Sequence, residues 1–556
     1  MSEIDSLTVS VIWGRLVSIA EEMGVTVRRT AYSEAVREGG DFSVAVFDAE
    51  GQMLSQADLS PGHLGAMPFA IGNMLKSYPR ETLKSGDIII MNDLYMGSGH
   101  LPDFYCMSPV FLQSQIVGFV VASAHMVDVG GIKAGSQAVE GVTERFQEGI
   151  CFPPVKFYDA GVPVPEITRI IEANVRVPSK VIGDLKALRN ALHAGGRALS
   201  SLFATYGVER LTAAARRILD QSEKAVRESL SEIPDGDYSY EDWLDDVGPG
   251  TGPVKLAVTV RVRGSEIIFD FSDSDPQTAS AINSPINFTR AYCYWATKAI
   301  TTRNDIPQNH GQLRPVTLVV PDSNFFNPSP PAAAGGRAML NQRIPELIFG
   351  ALAQIVPERI TAGSGQWANP IINGIDPRNG QRFVFYDYLV GGVGARSGAD
   401  GTSALSPVFS LENIPVEMQE AACPILVEAF GFLRDSGGAG EYRGGLSLYK
   451  EVRILAEHAE VSNLSDRHSH GSYGLEGGLD GPVGRSILNP HSDEPVVMHS
   501  KGVYALKKGD VLRYECSGSG DFGDLKQRRR EAVEDDLREG RISSEAAATI
   551  YGLESP

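Results

Sequence analysis

The chain has 556 residues, 42% hydrophobic and 21% charged, which is ordinary for a globular protein and long enough for several core units of about 100–200 residues each. A formal charge of −19 excludes a general binder of nucleic acid or of anionic membranes, both of which call for a basic footprint. No uninterrupted apolar run reaches the roughly 18 residues of a membrane span, and the acidic Met1–Ser6 stretch has no basic region of a signal peptide.

Apolar residues at helical spacing, Val9, Ile12, Leu16, Ile19 and Met23, predict an amphipathic helix over Leu7–Met23. Phe42–Phe47 alternates as a strand, and Asp48-Ala49-Glu50-Gly51 turns it into a hairpin. Pro61-Gly62-His63-Leu64-Gly65 reads as a loop ahead of a helical stretch, Ala70–Tyr78. Asp87–Met91, Phe104–Leu112 and Ile116–Ala124 read as strands. Ile167 to Ser231 is rich in Ala, Leu, Arg and Glu and predicts two or three helices, broken at Gly195-Gly196 and near Tyr206-Gly207. The character changes at Pro234-Asp235-Gly236-Asp237, so a boundary is placed there: an N-terminal α/β lobe over 1–235 and a β-rich, Gly/Pro-rich region over 236–556. The second region contributes to the same catalytic unit. Its expected elements are strands at Val254–Arg263 and Glu266–Phe271, helices at Asn287–Thr301 and Ile344–Ile355, and strands at Val316–Val320, Phe383–Val390 and Leu446–Leu455. Short strands follow over Val503–Tyr514, then a charged helix at Leu525–Leu537. The expected class is α+β (mixed α/β), multi-lobed and strand-rich, with a helical segment around 167–231.

The chemistry concentrates where two strands end. Ile88–Met91 runs into Asn92-Asp93, and then Gly97-Ser98-Gly99-His100-Leu101-Pro102-Asp103. The strand Ile116–Ala124 runs into His125, with Asp128 and Gly130-Gly131 just beyond. Nitrogen and oxygen donors converging from strand ends suit a divalent metal. His100, Asp103 and His125 have that chemistry, and Asp41, after Gly39-Gly40, offers a second carboxylate. The alternative is that Asp103 caps a turn and backbone groups satisfy the histidines. Gly518-Ser519-Gly520-Asp521-Phe522-Gly523 has the G-x-G-x-x-G spacing, but too little chain follows to complete a βαβ unit. No G-x-x-x-x-G-K-[ST] phosphate loop occurs. The Asp466-Arg467-His468-Ser469-His470 cluster reads as an exposed loop or a separate ligand site. The five cysteines, Cys106, Cys151, Cys293, Cys423 and Cys516, are scattered and form no Cys-x-x-Cys pair, as expected of reduced thiols in a cytoplasmic protein.

Taken together, several stretches resemble the hydantoinase B/oxoprolinase family. They are Glu38-Gly39-Gly40-Asp41-Phe42-Ser43, Asn92-Asp93 through Leu101-Pro102-Asp103, Ala124-His125 with Asp128-Val129-Gly130-Gly131, Phe146-Gln147-Glu148-Gly149, Asn309-His310-Gly311, Asn413-Ile414-Pro415 and Asp435-Ser436-Gly437-Gly438-Ala439-Gly440. This family comprises B-type subunits of ATP-dependent hydantoinases and lactamases, half of 5-oxoprolinase, and related subunits of acetone and acetophenone carboxylases. Many relatives have a glycine pair where this chain has Ser98-Gly99. The resemblance implies an A-type ATPase partner, in a heterotetramer or larger assembly, that uses ATP and Mg to phosphorylate the oxygen of a small cyclic amide. This chain would then open the ring at a divalent metal (Zn, Mn or Fe) held by Asp41, His100, Asp103 and His125. From their proximity to these motifs in the sequence, Asp128 or His63 is expected to relay the proton. The alternative within the family is a subunit of an ATP-dependent ketone carboxylase, and outside it a non-catalytic scaffold for the partner.

Overall fold

A computed structural model describes residues 4–301, 306–408 and 411–553. The first residues of the Met1–Ser6 stretch and the start of the loop-rich segment after Asn304 lie outside them. Helix α1 (Ser6–Thr30) starts where the Asp5 side chain accepts from Thr8 N at 2.9 Å and outruns the predicted Met23 end by two turns, with Val27 continuing the buried stripe. A short turn, α2 (Glu34–Arg37), leads into the expected hairpin of β1 (Phe42–Asp48) and β2 (Met53–Gln56).

With β3 (Ile88–Met91), β4 (Asp103–Leu112), β5 (Gln115–His125), β6 (Val155–Asp159) and β7 (Val162–Pro163) the hairpin forms an antiparallel sheet in the order β2-β1-β5-β4-β3-β6-β7. Alternation sorts its side chains. Val44, Val46, Phe104, Cys106, Val120 and Ala122 face α1 and the helical segment. Ala45, Phe47, Tyr105, Met107, Phe119 and Val121 face α3 (Pro61–Ser77). Two expectations are corrected here. Pro61 begins α3 rather than sitting in a loop before it, since proline suits the first helical position, and His63 therefore rides on a rigid first turn. The helical segment comprises α4 (Pro165–Asn174), α5 (Pro178–Tyr206) and α6 (Val208–Leu230), and α5 runs unbroken through Gly195-Gly196. A Cβ on Gly195 would strike the Met23 side chain, so that glycine lets α1 press against α5. The break at Gly207, with φ of 79°, falls where expected.

The second layer is the sheet β11-β10-β9-β8, built from β8 (Gly236–Leu244), β9 (Val254–Arg263), β10 (Glu266–Asp270) and β11 (Val316–Val319). Helices α7 (Ile286–Thr301) and α8 (Leu340–Leu352) pack beside it. Its core also takes in Ala35, Val127 and Ala134 from before residue 235 and Tyr386, Tyr388 and Leu464 from far beyond it. Strand β8 begins at the expected boundary, yet the apolar core is continuous across it. Gly65 lets α3 meet α7, because a Cβ there would overlap Ala291.

The remaining chain builds two further sheets. One is β13-β12-β16-β19, from β12 (Ile371–Ile375), β13 (Arg382–Tyr386), β16 (His458–Ser462) and β19 (Val503–Lys507). The other is β14-β15-β20-β17-β18, from β14 (Ile425–Phe432), β15 (Leu448–Ile454), β17 (Arg485–Leu488), β18 (Val496–Met498) and β20 (Val511–Glu515). Short helices α9 (Val416–Ala422), α10 (Arg530–Arg538) and α11 (Ser544–Thr549) flank them. Between these sheets, segments around 362–365, 391–402, 437–445, 471–484 and 517–523 lie backbone against backbone. A Cβ added to Gly365, Gly391, Gly392, Gly401, Gly445, Gly518 or Gly520 would fall within 3.0 Å of a neighbouring carbonyl oxygen. Backbone hydrogen bonds join the segments directly, such as Gly365 N to Gly392 O at 2.8 Å and Gly520 N to Gly363 O at 2.8 Å. The G-x-G-x-x-G spacing at Gly518–Gly523 belongs to this layer. No described helix is long and apolar enough to cross a membrane.

Candidate metal centre

Three neighbouring strand ends bring the site together. Asp103 opens β4 and lies directly opposite His125, the last residue of β5. His125 N donates to Asp41 O at 3.0 Å, just before β1. The loop carrying His100 is held by Asn92, whose amide donates to Leu101 O and Ile150 O and accepts from Phe152 N. His63 enters from the first turn of α3. All except the partly exposed Asp41 are buried.

The distances define one cluster. His100 Nε2 lies 2.7 Å and His125 Nδ1 3.0 Å from Asp103 Oδ1, and the two nitrogens are 3.2 Å apart. On the other oxygen of Asp103 lie His63 Nε2 at 3.2 Å, the Ser98 hydroxyl and the Arg337 guanidinium. Arg337 also stacks 3.9 Å over the Phe288 ring. Asp41 approaches His63 at 4.0 Å and accepts from the Tyr388 hydroxyl at 2.9 Å. Tyr386, Tyr388, Trp367, Phe288 and Tyr292 wall the space over the cluster, a cavity of about 30 Å³, roughly one water's share of volume.

Burial works against the Asp103 carboxylate, but His100, His63 and Arg337 outweigh it and hold the group well below the usual carboxylate range. Burial, reinforced by Arg337, pushes His100 down to about 3 in spite of Asp103. Burial also lowers His63, yet the charges of Asp103 and Asp41 prevail and its pKa rises.

The donor set fits a cation. Neutral His100 has one N–H but two oxygens to face: Asp103 Oδ1 at 2.7 Å and Gly335 O at 3.1 Å. Whichever nitrogen carries the proton, the other presents a lone pair to an oxygen. A cation among His100 Nε2, His125 Nδ1 and Asp103 Oδ1 turns that conflict into ligation and leaves the Nδ1 proton for Gly335. Among the described residues, His100, Asp103 and His125 form the metal-competent group, their donor atoms all within 4.8 Å of one another. The predicted four-ligand set thus separates into three plus Asp41, which adjoins through His63 while Tyr388 engages its far oxygen.

Asp128, a candidate proton relay, has its carboxylate engaged as an anchor. Its carboxylate is taken by Arg176 Nη1 at 2.8 Å, Arg176 N at 3.1 Å and Gly130 N at 3.2 Å. Asp128→Asn is expected to leave cation affinity unchanged while lowering stability in urea by about 1–3 kcal/mol. The His468 and His470 loop lies elsewhere. Asp466 and Arg467 belong to a buried ion network with Lys501 and Glu346, and His470 pairs with Asp245.

The sequence reading missed Arg337, Gln137, Tyr386 and Tyr388. Arg337 and the tyrosines come from the Gly/Pro-rich region, where no periodicity marks a site. Glu148, in the Phe146–Gly149 stretch, had no role assigned. It is buried, accepts from Ala334 N and Gly335 N, and is pushed up to about 8 by burial, so it anchors the loop that carries Gly335 and Arg337.

These features define a mixed α/β protein with a buried histidine–aspartate centre at the ends of adjacent antiparallel strands. The hydantoinase B/oxoprolinase family model matches residues 5–525, and the chain belongs to that family. A Pseudomonas sp. (strain NS671) protein, provisionally named as the B-type component of a D-/L-hydantoinase, is 31% identical over 100% of this chain and 96% of its own length. The crystal structure of ATP-dependent caprolactamase from Pseudomonas jessenii superposes with a TM-score of 0.91 at 27% identity, covering 100% of this chain and 97% of that one. Nucleotide-free acetone carboxylase shares the fold, with a TM-score of 0.89 at 18% identity over 99% of this chain and 80% of that one.

Proposed function

We propose that this chain is the ring-opening subunit of an ATP-dependent cyclic-amide hydrolase, acting on a hydantoin, 5-oxoproline or lactam. An A-type ATPase partner, which would hold the ATP and Mg, phosphorylates the amide oxygen. The observation that carries the reading is the convergence of His100, Asp103 and His125 beneath an aromatic wall, in a chain similar over its full length to a caprolactamase component. A Zn, Mn or Fe ion held by those three residues would supply Lewis-acid polarisation.

The chain's own groups account for the rest. Amide resonance makes the ring carbon a poor electrophile, and phosphorylation of its oxygen removes that protection. Water adds to the activated ring carbon, the ring C–N bond breaks as its nitrogen takes a proton, and a second water hydrolyses the acyl phosphate left behind to carboxylate and phosphate. His63 is placed to hold the proton for the ring nitrogen at Nε2, because Asp103 and Asp41 both favour its charged form. Arg337 keeps Asp103 ionised and oriented. Tyr386, Tyr388 and Trp367 wall the space over the cluster in which the activated ring would lie.

The test is reconstitution with the A-type partner and a screen of hydantoins, 5-oxoproline and lactams. Ring opening should require ATP but not bicarbonate, and His100→Ala should abolish it with the fold retained by circular dichroism. Full activity in His100→Ala would refute the metal-centre reading. Bicarbonate-dependent ATP turnover on ketones would replace the hydrolase with the carboxylase reading.

A further inference from the structure

The outer face of the donor set contains a mismatch. His125 turns Nδ1 toward Asp103 and His100, and its other nitrogen, Nε2, lies 3.3 Å from the Gln137 side-chain nitrogen. That same amide nitrogen is 3.4 Å from His100 Nδ1. The Gln137 oxygen is buried and has no hydrogen-bond partner. A neutral imidazole carries one N–H. When Nδ1 of His125 gives its lone pair to a cation, the proton sits on Nε2 and requires an acceptor. The amide nitrogen now facing that atom cannot serve.

A glutamine amide supplies both polarities at nearly one geometry, because a half-turn about its last bond exchanges oxygen and nitrogen. Turned over, the oxygen of Gln137 faces Nε2 of His125 and Nδ1 of His100 together. The backbone beneath is fixed. Ser136 Oγ accepts from Val129 N at 3.1 Å and donates to Gly130 O at 2.9 Å. Gly135 adopts φ of 74° against Ile371, where a Cβ would overlap that side chain. Gln137 is itself 1% exposed, so the amide turns in place and has no route to solvent.

We propose that Gln137 is the positioning residue for His125: its side-chain oxygen accepts from His125 Nε2–H when Nδ1 faces a cation. There it holds the tautomer whose Nδ1 lone pair points inward. The inference rests on the metal-centre reading above and adds a residue that touches no cation.

The test uses the full chain labelled with ¹⁵N in its histidine rings. The ten histidines keep the spectrum tractable, and His125 is assigned by substitution. Zn²⁺-loaded protein should show His125 as the Nε2–H tautomer. In Zn²⁺ titrations against a competing chelator, Gln137→Met should weaken affinity by about 10–100-fold. Gln137→Glu, which restores an acceptor, should return it to the wild-type level or tighter. Wild-type affinity in Gln137→Met overturns the proposal and leaves the metal centre standing. Failure of the wild-type chain to take up Zn²⁺ or any other divalent cation overturns both. If Gln137→Met does not fold, Gln137→Glu decides the matter: weakened affinity in that variant overturns the proposal.

Discussion

Asp103→Asn is expected to yield a protein that retains no divalent cation and shows no measurable ring opening with its partner. Few side chains in the molecule accept as much. Both histidines of the donor set face one oxygen, and His63, Ser98 and Arg337 face the other. An asparagine amide places N–H groups against donors on at least one side. It also strips the buried Arg337 of its counter-charge, and losing one partner of a buried ion pair typically costs about 3–5 kcal/mol. Two losses should therefore appear together: metal content by elemental analysis, and the midpoint of urea unfolding. A variant that holds its cation as tightly as wild type would show that Asp103 is a structural ion-pair partner and not a ligand.

Gly445→Ala is expected to be strongly destabilising, by more than about 3 kcal/mol, and to deplete the soluble fraction. The added Cβ falls within 3.0 Å of Thr402 O and of Val393 N. Neither is a side chain that can choose another rotamer. Gly72→Ala in α3 is the matched control. Nothing lies within 4 Å of its Cβ, and exchanging a helical glycine for alanine should stabilise by about 0.5–1 kcal/mol. Equal thermal midpoints for the two variants would mean that the segments can separate and that the layer is loosely packed.

Much of the N-terminal body was legible because its elements obey simple periods. Val9 to Met23 marks a helix, Phe42–Phe47 alternates, and a loop closing in His100-Leu101-Pro102-Asp103 together with a strand ending in His125 announces a shared sheet edge. His63 was legible as a residue type but misplaced as a loop residue, since Pro61–Gly65 was read as a loop when Pro61 is a helix start. Asp128 stands three positions from His125, and the structure adds what sequence could not show, that Arg176 engages its carboxylate. The outer parts of the site had no local signal. Gln137 acts through an amide set by Ser136 and Gly135, and Arg337 arrives from a glycine-bound turn more than two hundred positions away from Asp103. Tyr386 and Tyr388 fall within the expected strand Phe383–Val390, which read only as a strand; the observed strand stops at Tyr386. Gly195 shows the converse error, in which a residue read as a helix break proved to be a point of close helix contact.

The glycine layer has a thermal consequence. Sheets and helices around α1 and α5 cohere through apolar area, and that attraction weakens as water cools. Where Gly365, Gly391, Gly445 and Gly520 meet neighbouring main chain, the contact is peptide against peptide and buries little hydrocarbon. Exposing such surface lowers the heat capacity instead of raising it. The molecule thus joins two materials with opposite temperature responses: a core that softens in the cold and a peptide-packed layer that keeps its hydrogen bonds there.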